Sequence, residues 1–278
     1  MQDKKICENL KKGVKIVKDI KIIVATHKKY QMPEDKMYLP VQVGSQNAKD
    51  LGYQRDNTGE NISSKNPYYC ELTGLYWAWK NLDSEYIGLS HYRRYFTQNN
   101  RIPKKEDERF KNILTYERAD ELLNDIDIIL PTKRKYYIEN LYNHYKHTMF
   151  IETLDETEKI LKEKYPEYID EFEKLHKRTS MHAFNMMIMK KDILNEYCKW
   201  LFDILFELEK RIDPSQYDSF HARYLGRVSE RLLDVWINTK GYNYKEVKFM
   251  SIQKVNWWKK GTSFLRSKVT GKKYEKSF

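Results

Sequence analysis

The amino-acid sequence predicts a single α/β domain built on a mainly parallel central sheet with flanking helices. Short β-branched runs bounded by polar segments, at residues 22–25 and 126–130, are typical of buried central strands. Longer stretches with apolar residues at helical spacing lie between these runs. Strands that alternate with helices favour a parallel sheet, and 278 residues are enough for one such domain.

The first third of the chain contributes two strands and one helix. Strands are predicted at Ile22–Ala25 and Tyr86–Leu89, and a helix is predicted at Tyr68–Leu82. Residues 31–67 are rich in Gly, Pro, Asn and Asp, which predicts a long loop. Because long loops in compact domains are often functional, we expect this loop to carry part of a binding site.

The rest of the chain continues the alternation of helices and strands. The predicted elements are a helix at Ala119–Asn124, a strand at Ile126–Leu130, a charged helical stretch at 153–177, a strand-like run at Met181–Met189, a helix from Asp192, a helix at Ser219–Asn238 and a last strand at 245–252. The sequence shows no internal repeat. We therefore expect one domain over residues 1–250 and a basic, aromatic tail over residues 251–278.

The tail carries much of the formal net charge of +11. Residues 254–278 contain eight Lys or Arg and one acid, together with Trp257, Trp258 and Phe264. Cations mixed with large aromatic residues are typical of a segment that lies on an anionic membrane surface. Nucleic-acid-binding tails and solvated tails without a partner have a similar composition, so charge alone does not choose among these interpretations.

Cysteine content and hydropathy indicate a cytoplasmic protein. Cys7, Cys70 and Cys198 are too few and too widely spaced for a disulfide framework or a zinc site. The first residues are polar and rich in lysine, unlike a secretory signal. No run approaches the ~20 apolar residues of a spanning helix. We expect the protein in the cytoplasm, either free or peripheral on the inner face of the cell membrane.

Polar residues follow the predicted strands at the point where open α/β sheets bind their ligands, beyond the carboxyl ends of the strands. These residues are Thr26, His27, His91, Arg93, Arg94 and, within the run at 181–189, Asn185. Two adjacent arginines supply permanently charged, forked donors that suit phosphate oxygens. The alternative for Arg93 and Arg94 is a pair of surface ion pairs with acids.

Several sequence blocks resemble a family of bacterial proteins of capsular and exopolysaccharide synthesis. The blocks are IIVATHK at 22–28, DNTGENISSKNPYYCELTGLYWAWKN at 56–81, YIGLSHYRRYF at 86–96, DIILP at 127–131, FNMMIMKKD at 184–192 and GRVSERLLDVWI at 226–237. The family was long known only as a domain of unknown function, and its members are associated with transfer of galactose or galactofuranose. The resemblance covers most of residues 20–240 and is weak at 97–118 and 150–178.

The resemblance implies a nucleotide-sugar-dependent glycosyltransferase with a Rossmann-like domain of the GT-A type. Such an enzyme would move a hexose from a UDP-sugar to a lipid-linked oligosaccharide acceptor, with the basic tail on the anionic membrane and with no nucleic acid as partner. The sequence is also compatible with two other functional classes of protein. They are a non-catalytic carbohydrate-binding module and a basic nucleic-acid-binding protein.

The resemblance also bears on metal dependence. GT-A folds usually carry Asp-x-Asp after a central strand, where it holds a divalent metal on the donor diphosphate. Here that place is occupied by Ser90–Tyr92, without a carboxylate pair. The Asp-x-Asp at Asp125 and Asp127 precedes its strand, which predicts a position at the opposite edge of the sheet. We therefore assign no metal ligand and leave Mn²⁺ or Mg²⁺ open as a cofactor.

The resemblance favours donor-binding roles in the block at 56–81. The candidates there are Asp56, Asn57, Asn61, Glu71 and Lys80, in addition to the strand-end residues. Short Asp and Asn side chains suit sugar and ribose hydroxyls, whereas Lys80 would join Arg93 and Arg94 in neutralising the leaving diphosphate. The alternative is that the Asp and Asn residues only form turns.

Candidate catalytic and acceptor-binding residues lie mainly in the second half of the chain. Inverting transfer needs a base that takes the proton of the acceptor hydroxyl, and the sequence leaves inversion or retention open. The first candidate base is Glu230 and the second is His91. The alternative for Glu230 is an ion pair with Arg227, three residues earlier on the same helix. The candidate acceptor-binding residues are His144, His147 and Arg231.

Overall fold

A mainly parallel sheet forms the centre of the protein. The computed structural model describes residues 17–253. The strands of the central sheet are β1 (Ile20–Thr26), β2 (Tyr38–Gln42), β3 (Gln54–Arg55), β4 (Tyr86–His91), β5 (Arg94–Phe96), β6 (Ile128–Pro131), β9 (Met187–Lys190), β10 (Lys245–Val247) and β11 (Phe249–Ser251). A separate ribbon pairs β7 (Arg134–Lys135) with β8 (Ser180–Met181).

The order of strands across the sheet is β10-β6-β9-β4-β1-β2-β3, with β5 joined to β4 and β11 joined to β5. Strands β4, β1, β2 and β3 run parallel, as do β6 and β10, whereas β9 runs antiparallel between β4 and β6. In the middle of the sheet Ile22 lies opposite Gly88. A Cβ atom at Gly88 would lie 2.9 Å from the backbone oxygen of Met187. The close pairing of β4 with β9 therefore requires glycine at this position.

Helices cover one face of the sheet, and the other face is covered by short helices together with strands β5 and β11. They are α1 (Asn66–Tyr69), α2 (Leu72–Asn81), α3 (Glu106–Lys111), α4 (Tyr116–Leu122), α5 (Leu141–Thr148), α6 (Glu152–Lys164), α7 (Ile169–Lys177), α8 (Lys191–Arg211) and α9 (Tyr224–Lys240). Side chains alternate across β1: Ile23 and Ala25 join the larger core with α2, α8 and α9, and Ile22 and Val24 join a smaller core with β5, β11 and α4.

The sequence predicted most of these elements, but three of them are divided in the structure. The helix predicted at 68–82 is interrupted by Cys70, whose φ of 54° lies outside the helical region. The helical stretch at 153–177 is divided at Pro166, which lacks a backbone donor. The last strand at 245–252 is two strands, because β10 pairs with β6 and β11 pairs with β5.

The predicted loop at residues 31–67 contains two strands that the sequence did not indicate. Strand β2 pairs along its whole length with β1, from Ile22 to Thr26, and β3 continues the sheet beyond β2. Pro40 lies inside β2, and both strands are short and flanked by turn-forming residues. Strands this short, one of them interrupted by proline, lack the alternation of apolar and polar residues by which a strand is recognised in a sequence.

The basic tail at residues 254–278 lies outside the described residues, so its predicted membrane contact rests on the sequence. Within residues 17–253, none of the helices has the length and apolar character needed to cross a membrane.

Candidate active site

A cavity of about 1080 Å³ opens at the carboxyl ends of β1 and β4. Its wall is formed by residues that follow these strands, by the junction between α1 and α2, by the segment from β7 into α5, and by the start of α9. Because β9 runs antiparallel, Phe184 and Asn185, which precede it, come to the same edge. The cavity therefore lies where open α/β sheets bind their ligands.

Backbone strain is concentrated beside this cavity. Cys70, Phe184 and Asn185 have φ values of 54°, 71° and 54°. For a residue with a side chain this conformation costs roughly 1 kcal/mol or more. Cys70 and Phe184 line the cavity. Strained residues that gather at one cavity are typical of binding and catalytic sites.

The wall of the cavity is strongly cationic. Two glutamates and six arginines line it, and the arginines are Arg93, Arg94, Arg134, Arg223, Arg227 and Arg231. The cavity also has aromatic side chains, among them Tyr92, Tyr136 and Phe220. A concave site that combines several guanidinium groups with aromatic surface suits an anionic ligand that also has a flat, partly apolar portion.

Arg93 and Arg94, which the sequence placed at the end of β4, both face this cavity. Their guanidinium groups lie against the rings of Tyr92 and Phe184, at 5.1 and 4.3 Å from the ring centroids. Neither guanidinium has a hydrogen-bond or ion-pair partner among residues 17–253, so the alternative of surface ion pairs is wrong for these residues. Burial, reinforced by Arg93, lowers the pKa of Arg94. An anion in the cavity would relieve this unfavourable charge.

Three further arginines follow one another at four-residue spacing around the start of α9. Arg223 donates from Nε to the Sγ atom of Cys70 at 2.9 Å. Arg227 forms an ion pair with Glu230 at 3.2 Å, as the alternative interpretation of Glu230 predicted. The guanidinium of Arg231 lies 4.4 Å from the ring centroid of Tyr145.

Two carboxylates, Glu71 and Glu230, lie among these cations. Glu71 precedes α2 and accepts a hydrogen bond of 2.8 Å from Nδ2 of Asn185. The same amide group donates to the backbone oxygen of Gly226 at 3.2 Å. Asn185 therefore joins three parts of the cavity wall, and this contact holds Glu71 in place.

His91 ends β4 and lines the cavity between the two carboxylates and Arg94. Its Nε2 atom lies 2.6 Å from the backbone oxygen of Phe184. A carbonyl oxygen only accepts, so Nε2 carries the proton and Nδ1 carries a lone pair. Burial lowers the pKa of His91, and Glu71 opposes that shift. This lowered pKa favours the neutral imidazole at neutral pH, with one basic nitrogen.

His27, a predicted donor-binding residue, and His144, a predicted acceptor-binding residue, also line the cavity, whereas His147 does not. Burial, followed by the charge of Arg231, lowers the pKa of His144 to about 3. His144 and the exposed His147 share one partner, the carboxylate of Glu139, at 3.2 and 2.7 Å. This shared carboxylate explains the three-residue spacing of the two histidines.

The remaining predicted donor-binding residues lie outside the cavity wall. They are Thr26, Asp56, Asn57, Asn61, Lys80 and Asn185. Thr26 is buried and its hydroxyl closes the turn after β1 by bonding the backbone oxygen of Lys28 at 2.7 Å. Asn61 bonds within its own loop, to the backbone oxygen of Gly59. Asn185 contacts the cavity wall through the hydrogen bonds that its side-chain amide donates to Glu71 and to the backbone oxygen of Gly226.

Asp56 is fully buried, and its carboxylate is saturated by the protein itself. It accepts hydrogen bonds from the backbone N–H groups of Gly44 and Ser45 and from the hydroxyls of Ser45, Ser63 and Thr73, at 2.5 to 3.0 Å. These contacts tie the segment after β2 to α2. The structure thus corrects the donor-binding prediction for Asp56, because no acceptor capacity is left for a ligand.

Lys80 and the Asp-x-Asp motif lie at the other edge of the sheet. Lys80 is near the far end of α2, about 14 Å from Glu71 at 1.5 Å per helical residue, and pairs with Glu60 at 3.0 Å. It is therefore too remote to neutralise a diphosphate in the cavity. Asp125 and Asp127 precede β6 and line a separate, smaller pocket. Residues 17–253 contain no cluster of three His, Cys, Asp or Glu side chains arranged to hold a metal.

The sequence did not identify Arg134, Arg223 and Arg227 as site residues. Arg134 follows β6 and lies in the ribbon of β7 and β8. A signal existed for the other two, since Arg223, Arg227 and Arg231 recur every four residues and share one face of a helix. Nothing local to Arg134 distinguishes it from the neighbouring Lys133 and Lys135.

The fold is that of a Rossmann-like glycosyltransferase. The fold matches a solved structure described as the WbbM bifunctional glycosyltransferase in its apo form, with a TM-score of 0.78 and 29% sequence identity. The match covers 85% of this chain and 46% of that chain, so the protein spans less than half of its neighbour's length.

The chain belongs to the family described as Domain of unknown function (DUF4422), which matches residues 21–241. Comparison with curated proteins gives no significant match. The family match includes all six arginines of the cavity wall.

Proposed function

We propose that the protein transfers a hexose from a UDP-sugar to a lipid-linked glycan acceptor in the synthesis of a capsular or other cell-surface polysaccharide. The observation that carries this proposal is the pair Arg93 and Arg94, which lie unpaired in a cationic cavity at the carboxyl edge of a parallel sheet. The glycosyltransferase neighbour supports the reaction class. Galactose and galactofuranose are the sugars that the sequence resemblance favours.

Departure of the nucleoside diphosphate places negative charge on its phosphate oxygens, and fixed cations stabilise that charge in the transition state. Arginine is suited to this task because it stays charged and donates two parallel hydrogen bonds. We propose that Arg93, Arg94 and Arg223 bind the donor diphosphate. The two carboxylates of the wall are engaged by Arg227 and Asn185, a donor set that does not fit a divalent cation.

The acceptor hydroxyl must lose a proton as the new glycosidic bond forms. His91 is better suited to this step than Glu230, because it is neutral and its Nδ1 carries a lone pair. His91 lines the cavity, and among residues 17–253 its hydrogen bond is made through Nε2, which leaves Nδ1 available for an acceptor hydroxyl. Glu230 is held by Arg227, and we propose that it orients this arginine.

Direct transfer assays test the proposal. The full-length protein is incubated with UDP-galactose, UDP-galactofuranose, UDP-glucose or the matching GDP- and CMP-sugars and with glycan acceptors on a lipid-like aglycone, with Mn²⁺ or with EDTA. A product heavier by one hexose, formed from a UDP-sugar in EDTA, is the expected result. Binding of glycans without any response to nucleotides would favour a carbohydrate-binding module instead. Binding of DNA at moderate salt in place of nucleotide sugars would favour the nucleic-acid alternative.

The sequence also suggests how the enzyme meets a lipid-linked acceptor. The basic aromatic tail at 254–278 would attract the anionic inner face of the membrane. Deletion of residues 254–278 should then move the protein from the membrane to the soluble fraction of lysed cells. Unchanged fractionation would exclude the tail as a membrane contact.

A further inference from the structure

Exposed apolar side chains gather in one short segment at the mouth of the cavity. Five large hydrophobic side chains are exposed within residues 17–253, and three of them, Tyr137, Ile138 and Tyr142, lie within six positions of each other. Tyr137 is 90% exposed and Ile138 is 60% exposed. Both also line the rim of the cavity. Residues 133–146, which contain these three side chains, are called the rim segment below.

The backbone of the rim segment is fixed on both sides of its apolar tip. The N–H of Tyr136 donates to the backbone oxygen of Thr179 at 2.7 Å, and that of Leu141 donates to Arg178 at 2.9 Å. Asn140 caps α5 by accepting from the N–H of Asn143 at 2.9 Å. The tip between these anchors, residues 137–140, is therefore short and tied to the fold at both ends.

The exposed charged side chains of the rim segment are all positive. Lys133, Arg134, Lys135 and Lys146 are its cations, and Glu139 is its one acid. The side chain of Glu139 is only 6% exposed, because it is engaged by two histidines of α5. Solvent therefore meets cations and apolar groups, without a carboxylate to oppose an anionic partner.

We propose that the rim segment inserts Tyr137, Ile138 and Tyr142 into the headgroup region of an anionic phospholipid bilayer, with its cations on the lipid phosphates. Tyrosine and short aliphatic side chains beside lysine are the groups that lie at this depth of a membrane. The contact is separate from the tail, and it places the mouth of the cavity against the bilayer. The proposal concerns lipid binding and does not depend on the sugar transferred.

The first experiment measures co-flotation of the full-length protein with vesicles of phosphatidylglycerol and phosphatidylcholine, or of phosphatidylcholine alone. The double variant Tyr137→Ser/Ile138→Ser should bind the anionic vesicles at least tenfold more weakly, because it removes two apolar side chains that leave water on binding. Ile102→Ser removes an exposed apolar residue elsewhere, 46% exposed, and should bind as the parent does. Equal binding by all three proteins would overturn the proposal.

Charge is tested with a second matched pair. Lys135→Gln/Lys146→Gln removes two rim cations and should weaken binding to anionic vesicles by about fivefold for each charge. Lys49→Gln/Lys104→Gln removes two exposed lysines outside the rim segment and should have a smaller effect. Equal losses in both double variants, or equal binding of the parent to both vesicle types, would contradict a contact made through this segment.

Hydrogen exchange on vesicles locates the contact independently of the tail. Peptides that cover residues 133–146 should exchange more slowly when anionic vesicles are present. Protection confined to residues 254–278 would show that the tail alone binds lipid and would overturn the proposal. Protection of the rim segment by a soluble oligosaccharide, with none from vesicles, would identify it as a glycan platform and would overturn it equally.

Discussion

Asn185 donates a hydrogen bond of 2.8 Å from its side-chain amide to the carboxylate of Glu71, and this contact joins the start of β9 to the start of α2. Asn185 is buried and has a φ of 54°. Asparagine tolerates this left-handed conformation better than most residues. One residue thus supplies both an unusual backbone turn and a side chain that positions a carboxylate of the cavity.

Replacement of Asn185 should separate these two contributions. Asn185→Gly keeps the left-handed backbone accessible but leaves Glu71 and the Gly226 carbonyl without their donor, at a cost of about 1–3 kcal/mol. Asn185→Ala should cost about 1 kcal/mol more, because alanine also resists the positive φ. Denaturant unfolding measures both variants. If Asn185→Ala and Asn185→Gly have equal free energies of unfolding, the positive φ of residue 185 does not contribute to the cost of the substitution.

Asp56 should behave as a structural residue. Asp56→Asn replaces a carboxylate that accepts five hydrogen bonds with an amide whose NH₂ group cannot accept. We expect a loss of about 2–4 kcal/mol in the free energy of unfolding. Asp50→Asn, in an exposed turn where Asp50 accepts from the N–H of Gly52, is the control and should cost much less. Full stability of Asp56→Asn with a loss of nucleotide affinity would instead restore the donor-binding role.

His176 should make the fold sensitive to acid. Burial, followed by Arg231, lowers the pKa of this histidine to about 3 from an ordinary value of 6.5. Between these values the unfolded chain takes up a proton that the folded protein refuses, so stability falls as the pH falls. At pH 5 the expected loss is about 2 kcal/mol.

The variant His176→Gln should show a flatter dependence of unfolding free energy on pH between about 6.5 and 3. His147→Gln, at an exposed histidine of α5, is the matched control. His144, whose pKa is also lowered to about 3 by burial, adds to the slope in both proteins. Identical slopes for the parent and His176→Gln would contradict this assignment.

His91 should set the acid limb of activity. A base must be unprotonated, and because burial lowers the pKa of His91, activity should persist below pH 6.5 and fall only as the pH drops through that lowered value. His91→Asn should lose about 10²–10⁴-fold in kcat, together with the acid limb. Glu230→Gln should raise KM more than it lowers kcat. If Glu230→Gln removes the acid limb and His91→Asn keeps it, the roles are reversed.

The sequence placed Arg93 and Arg94 at the edge of the sheet where the cavity lies, because strand ends are a local signal. Arg93 and Arg94 follow a run of buried residues directly, and the topology of parallel strands brings such ends to one edge. Glu71 directly precedes α2 and Glu230 lies on α9, and both line the cavity. The direction of a strand relative to its neighbours cannot be read from its own sequence. The antiparallel orientation of β9 was therefore not predicted.

The sequence misassigned residues whose partners are distant in the chain. Asp56 is a typical turn residue by local pattern, and only the folded contact with Thr73 shows that its carboxylate is already saturated. Lys80 lies on α2, the helix that begins directly after Glu71, and the length of this helix places Lys80 far from the cavity. The division of the predicted helix at Cys70 was equally hidden, because cysteine gives no signal for a positive φ.

The most direct test of the arginine-lined donor site is calorimetric titration of UDP into the parent protein, Arg94→Met and Lys80→Gln, in EDTA. Charge-assisted hydrogen bonds to phosphate contribute about 1.5–3 kcal/mol each, so Arg94→Met should bind UDP at least tenfold more weakly. Lys80→Gln should bind as the parent does, since Lys80 pairs with Glu60 outside the cavity. Unchanged affinity in Arg94→Met, or binding that appears only when Mn²⁺ replaces EDTA, would contradict the account.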